Sequence, residues 1–517
     1  MSQSSDVSVI NRQTLSAPFI CYVFICTRPT GAGSAVCLSV IKHFIPAVEM
    51  CSLLRPPALS RLICVRLKTV AASQFPAAKR SGELKNPSPA AYLQFEDPQA
   101  FRVKSLWELI RALGVFRLCS FPVLVNNCGK LMSFSRRVLG KRCFCMVLRP
   151  SVYAQFVAGE TEGEIADSMQ KMSSLGLHPM LAVPIEEDLG ESTGEKRYED
   201  NLSAMLECVL MSHSNGWSNN PMMQLKITAL VSPELCVKLT SLLKTELYDL
   251  NLLVKAMDGE EVLFPGLTES ENTHLLFGLR RLNKIGEASV NKVRVLVDAE
   301  YTYMNPALSL ITMAMMKKFN QQSAWIWNTY QCYLKESRNL LLDAVQTSIN
   351  QSFCFGVKLV RGAYMDKERK LAEKEGRTDP IHESWEHTND SYNGCLELML
   401  KLIAEKPERY MMIVATHNEE SVRRAVTHMV ELGLHRDGNS VCFGQLLGMC
   451  DHVSLTLAQH GFSVYKSVPY GSVDDTLPYL VRRAQENRTV LQGIRKERDL
   501  LRQELHRRLK EKISRST

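Results

Sequence analysis

The sequence predicts an α/β fold: a distorted (βα)8 TIM-type barrel with N-terminal and inserted helices, and a final helix covering the barrel mouth. Two observations carry that expectation. From residue 176 onward, eight short β-rich runs recur, each followed by a turn and a helical pattern, and strands alternating with helices read as parallel βα units. Polar residues gather where those runs end: Lys226, Asp298, Gln331, Lys358 with Arg361, His417, Gln445 and Ser467. A barrel brings all such ends around one mouth, where its chemistry is done.

The runs are "HPMLAVP", "MQLKITAL", "VRVLVDAE", "SAWIWNTYQ", "FGVKLVRGAY", "YMMIVATHN", "SVCFGQLLGM" and "FSVYKSVPYG". Spacing is long after the first and second, over 185–220 and 231–292, so extra helices are expected there. Residues 85–175 read as a helical region, with "SLWELIRALGVFRL" and "GETEGEIADSMQKMSSLG" as amphipathic pieces. The barrel is expected over 176–487 and a basic tail over 488–517.

Behind the last run, "YLVRRAQEN" places Tyr479, Arg482, Arg483 and Glu486 on one helical face and Leu477, Leu480, Val481 and Ala484 on another. Pro478 is awkward inside a helix, so the helix is expected to start near Asp475 or Thr476. On its own, such a face reads as solvated charge with an arginine paired to Glu486. Beside the mouth, Lys226, Arg482 and Arg483 make a cationic pocket suited to a carboxylate, which arginine forks hold bidentately.

The chain has 517 residues, 45% hydrophobic and 22% charged, with a formal charge of +8. That balance describes an ordinary globular protein and argues against long disorder. Zinc-ligand spacing and the basic, aromatic-interleaved stripe of RNA-binding modules are both missing, so neither a metal site nor a nucleic-acid partner is expected. The 16 cysteines are scattered, which suits free thiols in a reducing compartment. Between Cys51 and Ser81 stand six basic residues and no acid, the composition of a mitochondrial presequence. Residues 1–84 are therefore read as an upstream extension, to about residue 49, and a presequence over about 50–82. In the tail, ten Lys or Arg stand against four acids over 488–515, with Ile494, Leu501, Leu505 and Leu509 at helical spacing. Two readings stay open: a helix lying on the inner mitochondrial membrane, or a helix packed on the barrel.

The segments "LAVPIEEDLGE" (181–191), "KLVRGAY" (358–364), "ATHNEES" (415–421), "FGQLLGMCD" (443–451) and "YLVRRAQEN" (479–487) resemble, in order, those of the proline dehydrogenase family, over roughly residues 90 to 510. "TVLQGIRKE" and "MCDHVSL" are similar to its hydroxyproline-oxidising branch. The resemblance implies an FAD-dependent mitochondrial enzyme, on the matrix side, that passes electrons to a membrane quinone. It implies that Arg482 and Arg483, joined by Lys226, grip the substrate carboxylate, and that Asp298, Tyr364, Leu446 and Tyr479 line the substrate ring. Glu191 would close the pocket as a gate by pairing with the first arginine. Gln331, Lys358, Arg361 and His417 would hold the flavin, with Lys358 standing where many bacterial members have arginine.

The informative departure is Ser467. Proline dehydrogenases commonly have tyrosine there, packed against the carbon that bears the hydroxyl of 4-hydroxyproline. Serine removes that bulk and offers a donor and an acceptor, which points to trans-4-hydroxy-L-proline as substrate. L-Proline is the alternative, and a catalytically silent barrel with a binding role is the reading from another class.

Overall fold

The computed structural model describes residues 93–185, 194–245, 248–489 and 491–514, the stretch 486–494 as backbone only. Eight parallel strands run in chain order: β1 (Leu177–Ala182), β2 (Met222–Leu225), β3 (Arg294–Val297), β4 (Ile326–Gln331), β5 (Phe355–Val360), β6 (Tyr410–Ala415), β7 (Val441–Leu446) and β8 (Val464–Pro469). They close into a barrel, β8 returning to β1 with Leu177 opposite Val464 and Ala182 opposite Pro469. The long spacing after β2 holds extra helices, Pro233–Leu242 and Leu250–Met257 ahead of Glu269–Ser289, whereas after β1 the described residues form the single helix Glu195–Ser214. A second helix that the spacing did not announce follows β5, where Met365–Glu375 precedes Trp385–Glu405.

The two-residue period of a strand sorts each run into two faces. On β3, Val295 and Val297 join the large outer core beneath the helices, while Leu296 belongs to a separate inner cluster. That inner cluster, with Met180, Met222, Trp327, Ile413 and Tyr465, fills the lower barrel. β5 is bare at Gly356, where a Cβ would stand 2.4 Å from the Trp327 indole. Above this apolar floor the inward positions become polar, and the site begins there.

Helices Leu106–Cys119, Pro122–Asn126 and Cys128–Leu148 precede the barrel. Ser105 opens the first with a capping box, its hydroxyl accepting from Glu108 N and the Glu108 carboxylate accepting from Ser105 N. Val115, Cys119, Val125, Phe144 and Leu148 from this region pack with Tyr479, Leu480 and Ala484 of the helix Val473–Thr489. The expected apolar stripe of that helix is thus buried, but its start lies earlier than Asp475. Ser472 caps it, accepting from Asp475 N at 3.2 Å, and Thr476 N bonds Ser472 O at 3.0 Å. The cap fixes the first turn upstream of Pro478, which stays inside at the cost of one backbone bond.

The tail forms the helix Leu491–Ser514, whose Leu500 and Leu501 enter the main core beside buried Glu497 and Glu504. Leu509, counted in the apolar stripe, is 43% exposed. The described residues therefore show the packed reading. Residues 1–84, with the presequence, lie outside the described residues, as does Glu191. Every described cysteine is a free thiol.

The turn after β7 is fastened to the N-terminal region by Gln155, whose Nε2 donates to Gly448 O at 2.8 Å. Gly448 has φ of 74°, and a Cβ there would stand 1.9 Å from Gln155 O. Gly448→Ala is expected to destabilise the fold by about 2–4 kcal/mol, from the left-handed backbone and overpacking together, read as a lower midpoint in urea unfolding.

Candidate active site

The site starts from inward side chains at the upper ends of the strands. Asp298, one residue past β3, takes an ion pair from Lys358 of β5, Nζ to Oδ1 2.5 Å. Gln224 of β2 also faces this carboxylate, Nε2 to Oδ1 3.5 Å. From β8, Ser467 donates its hydroxyl to Gln224 Oε1 at 2.5 Å. Ser467, Gln224, Asp298 and Lys358 therefore form one polar chain across the barrel. Gln224 did not figure among the sequence candidates. The signal was present, because Gln224 precedes Lys226 by two residues and shares its face by strand period.

Lys226, just past β2, donates to Ile185 O at 3.1 Å, which ties it to the end of the described segment after β1. Gln331 donates to Glu300 O at 2.9 Å and contacts Tyr333 Oη at 2.8 Å, so its amide is locked between the β3 and β4 ends. Tyr364, at the head of helix Met365–Glu375, lies 4.4 Å, centroid to centroid, from Tyr301, which stacks on Tyr303 at 5.3 Å. An aromatic wall thus rises beyond β3 and β5.

A second group forms where helix Val473–Thr489 meets the mouth. Tyr479 and Arg483 are both buried, the guanidinium carbon 4.8 Å from the phenol centroid. Leu446 packs into the same apolar cluster as Tyr479, and its N–H donates to His417 Nε2 at 3.2 Å. That bond makes Nε2 the acceptor, so the ring proton is assigned to Nδ1. Burial, then the charges of Lys466 and Arg483, push the His417 pKa down to about 3, and the ring is neutral. Arg482 is half-buried on the same helix.

Two candidates stand apart. Arg361 turns outward, donating to Asn389 Oδ1 at 2.5 Å and Ser421 Oγ at 2.8 Å over the Tyr392 ring. Gln445 also faces the helices, taking the Ser454 hydroxyl at 2.9 Å. Strand period places it opposite Leu446 and Gly444, away from the interior, so it does not belong to the mouth.

Lys466, between inward Tyr465 and Ser467, points outward and is 1% exposed. Its ammonium meets Asp451 at 2.8 Å, Met449 O at 2.8 Å and Ser454 Oγ at 2.9 Å. Asp451 also pairs with Lys104 at 2.7 Å. Burial raises the Asp451 pKa, but the two lysines win and hold it far below the usual carboxylate range.

His417 gives the site a pH signature. Its ordinary pKa is 6.5 and its folded value about 3, so between these values the unfolded chain binds a proton that the folded chain does not. Its contribution to stability is full above about 6.5 and fades as pH falls toward 3. His417→Gln keeps an acceptor for Leu446 N–H and is expected to flatten the dependence of the thermal midpoint on pH between about 4 and 6.5. An unchanged slope would place the titrating group elsewhere.

Comparison with known proteins adds three findings. The chain is 58% identical over 423 residues to a hydroxyproline dehydrogenase of Xenopus laevis, covering 81% of this chain and 90% of the relative. It is 31% identical over 536 residues to the human protein named proline dehydrogenase 1, mitochondrial, covering 80% of this chain and 89% of the relative. Among solved structures, proline utilization A from Bdellovibrio bacteriovorus, inactivated by N-propargylglycine, superposes with a TM-score of 0.53 at 18% identity. That match covers 74% of this chain and 36% of the bacterial one, and speaks for the barrel alone. Residues 165–496 match the proline dehydrogenase family, and with these relatives beside that match, the chain belongs to the proline dehydrogenase family of oxidoreductases.

Proposed function

We propose that this protein oxidises trans-4-hydroxy-L-proline to 1-pyrroline-3-hydroxy-5-carboxylate, using FAD and passing the electrons to a membrane quinone. The observation that carries the substrate choice is the inward Ser467–Gln224 pair. A hydroxyl on the substrate ring finds there both a donor and an acceptor in place of an aromatic ring. The higher identity to a hydroxyproline dehydrogenase, 58% against 31%, supports the same choice over L-proline.

In this reading Arg482, Arg483 and Lys226 hold the carboxylate, with Glu191 as the gate that pairs with Arg482. Arg483 is fixed against Tyr479, so the clamp is oriented before substrate arrives, and orientation is its main catalytic contribution. Asp298, Leu446, Tyr364 and Tyr479 border the ring. Asp298 is held by Lys358 and Gln224, which keeps its carboxylate from swinging into the pocket. Burial of Ser467 and Tyr479 excludes water from the reacting face.

The donor set fits a flavin. Lys358 and the His417 Nδ1–H are donors at neighbouring strand ends, while Gln331 and Arg361, which the resemblance also assigns to the flavin, are engaged by Glu300 and Tyr333 and by Asn389 and Ser421. Such donors suit a ring system rich in carbonyl and imine acceptors. Bound FAD supplies a two-electron acceptor for the substrate's C–N bond. The acid-free basic segment between Cys51 and Ser81 supports a mitochondrial location, and the matrix side belongs to the same proposal. No described helix is long and apolar enough to cross a membrane.

The test is kcat/KM of the purified full chain for trans-4-hydroxy-L-proline and for L-proline, with a quinone analogue as acceptor. A clear preference for the hydroxylated substrate is expected, and equal values or a preference for proline would falsify the assignment. Ser467→Tyr is expected to shift the ratio toward proline by about tenfold or more, the worth of a lost hydrogen bond and of filled space. Arg483→Met is expected to lower kcat/KM at least a hundredfold, an order-of-magnitude figure for roughly lost alignment, while flavin absorbance stays. Loss of the yellow colour would move Arg483 to the cofactor.

A further inference from the structure

The region between the capping Ser105 and the start of β1 carries a charge pattern that the site does not use. From residue 109 to 159 there is no Asp or Glu, against eight lysines and arginines. More than half of the large apolar side chains exposed among the described residues lie between Val103 and Val147. Val123 is 70% exposed, Met146 74% and Val147 64%. Isolated exposed apolar residues are ordinary, but so many in one short stretch of chain are not.

The helix Cys128–Leu148 shows how the set is organised. Its inner side, with Cys128, Phe144 and Leu148, is buried against the helix Val473–Thr489. Arg136 and Lys141 reach across to Asp474 at 2.9 Å each. On the other side Leu131 and Val138 stand two turns apart and exposed, and the helix breaks at Gly140, φ 73°, before exposed Met146 and Val147. The basic residues divide the same way. Arg149 is taken up by Glu160 and Glu164, whereas exposed Lys130, Arg137 and Arg142 have no acidic partner among the described residues. An apolar stripe edged with uncompensated cations, on a segment without an acid of its own and with Asp474 beside it already met by Arg136 and Lys141, matches an anionic lipid interface.

We propose that the helices Pro122–Asn126 and Cys128–Leu148 dock the protein onto an anionic phospholipid bilayer, Val123, Leu131, Val138 and Met146 entering the headgroup boundary and Lys130, Arg137 and Arg142 meeting phosphates. The docking helix lies directly outside the helix that carries Arg482 and Arg483. This places a lipid-dissolved electron acceptor on the side of the molecule where the barrel mouth is capped. The assignment extends the acceptor half of the proposed function, and vesicle binding is measured apart from turnover so that either can fail alone.

The experiment is flotation of the full chain with phosphatidylcholine vesicles containing or lacking cardiolipin. The wild-type chain is expected to float with the cardiolipin vesicles and to dissociate as salt is raised. Lys130→Glu/Arg137→Glu/Arg142→Glu is expected to lower affinity by about tenfold or more, and Val123→Ser/Val138→Ser/Met146→Ser to lower it without changing the salt dependence. Both variants are expected to keep turnover with a water-soluble dye acceptor, since every changed residue is exposed. A wild-type chain that ignores cardiolipin vesicles would sink the proposal, as would variants that bind like wild type. Loss of binding by Lys510→Glu/Lys512→Glu alone would also overturn it, by moving the contact to the C-terminal helix. Self-association that the Val123 set abolishes, with vesicle binding unchanged, would show that a second copy covers the face.

Discussion

The buried ion cluster around Lys466 holds together the parts on which the site depends. An ammonium in an interior survives only if its charge and all its donors are met. Here Asp451, Ser454 and the Met449 carbonyl meet them, all from the connection after β7, so β7 and β8 are locked to each other. Asp451 then draws in Lys104 from the N-terminal region. Glu497 of the C-terminal helix accepts the N–H groups of Cys450 and Asp451 at 2.8 Å each. Both ends of the described chain are thus tied to the strand that closes the barrel. Removing one partner would leave a buried charge uncompensated, a loss of about 3–5 kcal/mol.

That outward anchor also sets what faces inward. Successive strand residues point to opposite faces, so a buried Lys466 fixes Ser467 toward the interior, and a one-residue slip would exchange them. The same rule places Gln224 two residues before Lys226 and Lys358 two after Gly356. The interior therefore changes from an apolar floor to a polar layer within one step of β2, β3, β5 and β8. In that layer Lys358 is matched by Asp298, and Lys226 adds a further positive charge. Two more positive charges, Arg482 and Arg483, come from outside the barrel wall, on the helix Val473–Thr489. In the proposed function that charge would draw the substrate carboxylate to the capped side of the mouth, above the Ser467–Gln224 pair.

The capping helix lies between two apolar surroundings. Leu446 and Met449 from the barrel side and Phe144, Leu148 and Val125 from the N-terminal helices pack around Tyr479, Leu480 and Ala484. Its polar connections continue outward through Asp474 to Arg136 and Lys141. Arg482 and Arg483 and the exposed basic, apolar surface therefore share one mechanical support. A molecule that settled on the outer surface would press on the same helix that holds Arg482 and Arg483.

The sequence by itself determined the eight strands, because each β-rich run is short, bounded by turn residues and followed by a helical period, and length alone located the helical insertion after β2, though not the second helix after β5. It also brought Asp298, Lys358, His417, Ser467 and the arginine pair to the strand ends and the final helix, since position along a run decides which end of the barrel a residue occupies. What it did not decide was partnership. Gln224 between Ser467 and Asp298, the outward turn of Gln445 and Arg361, the cap that starts the last helix at Val473, and the Lys466 cluster all depend on side chains far apart in the chain. Local periodicity fixes a residue's face and level, but only the closing of β8 onto β1 determines which distant groups stand within hydrogen-bond reach.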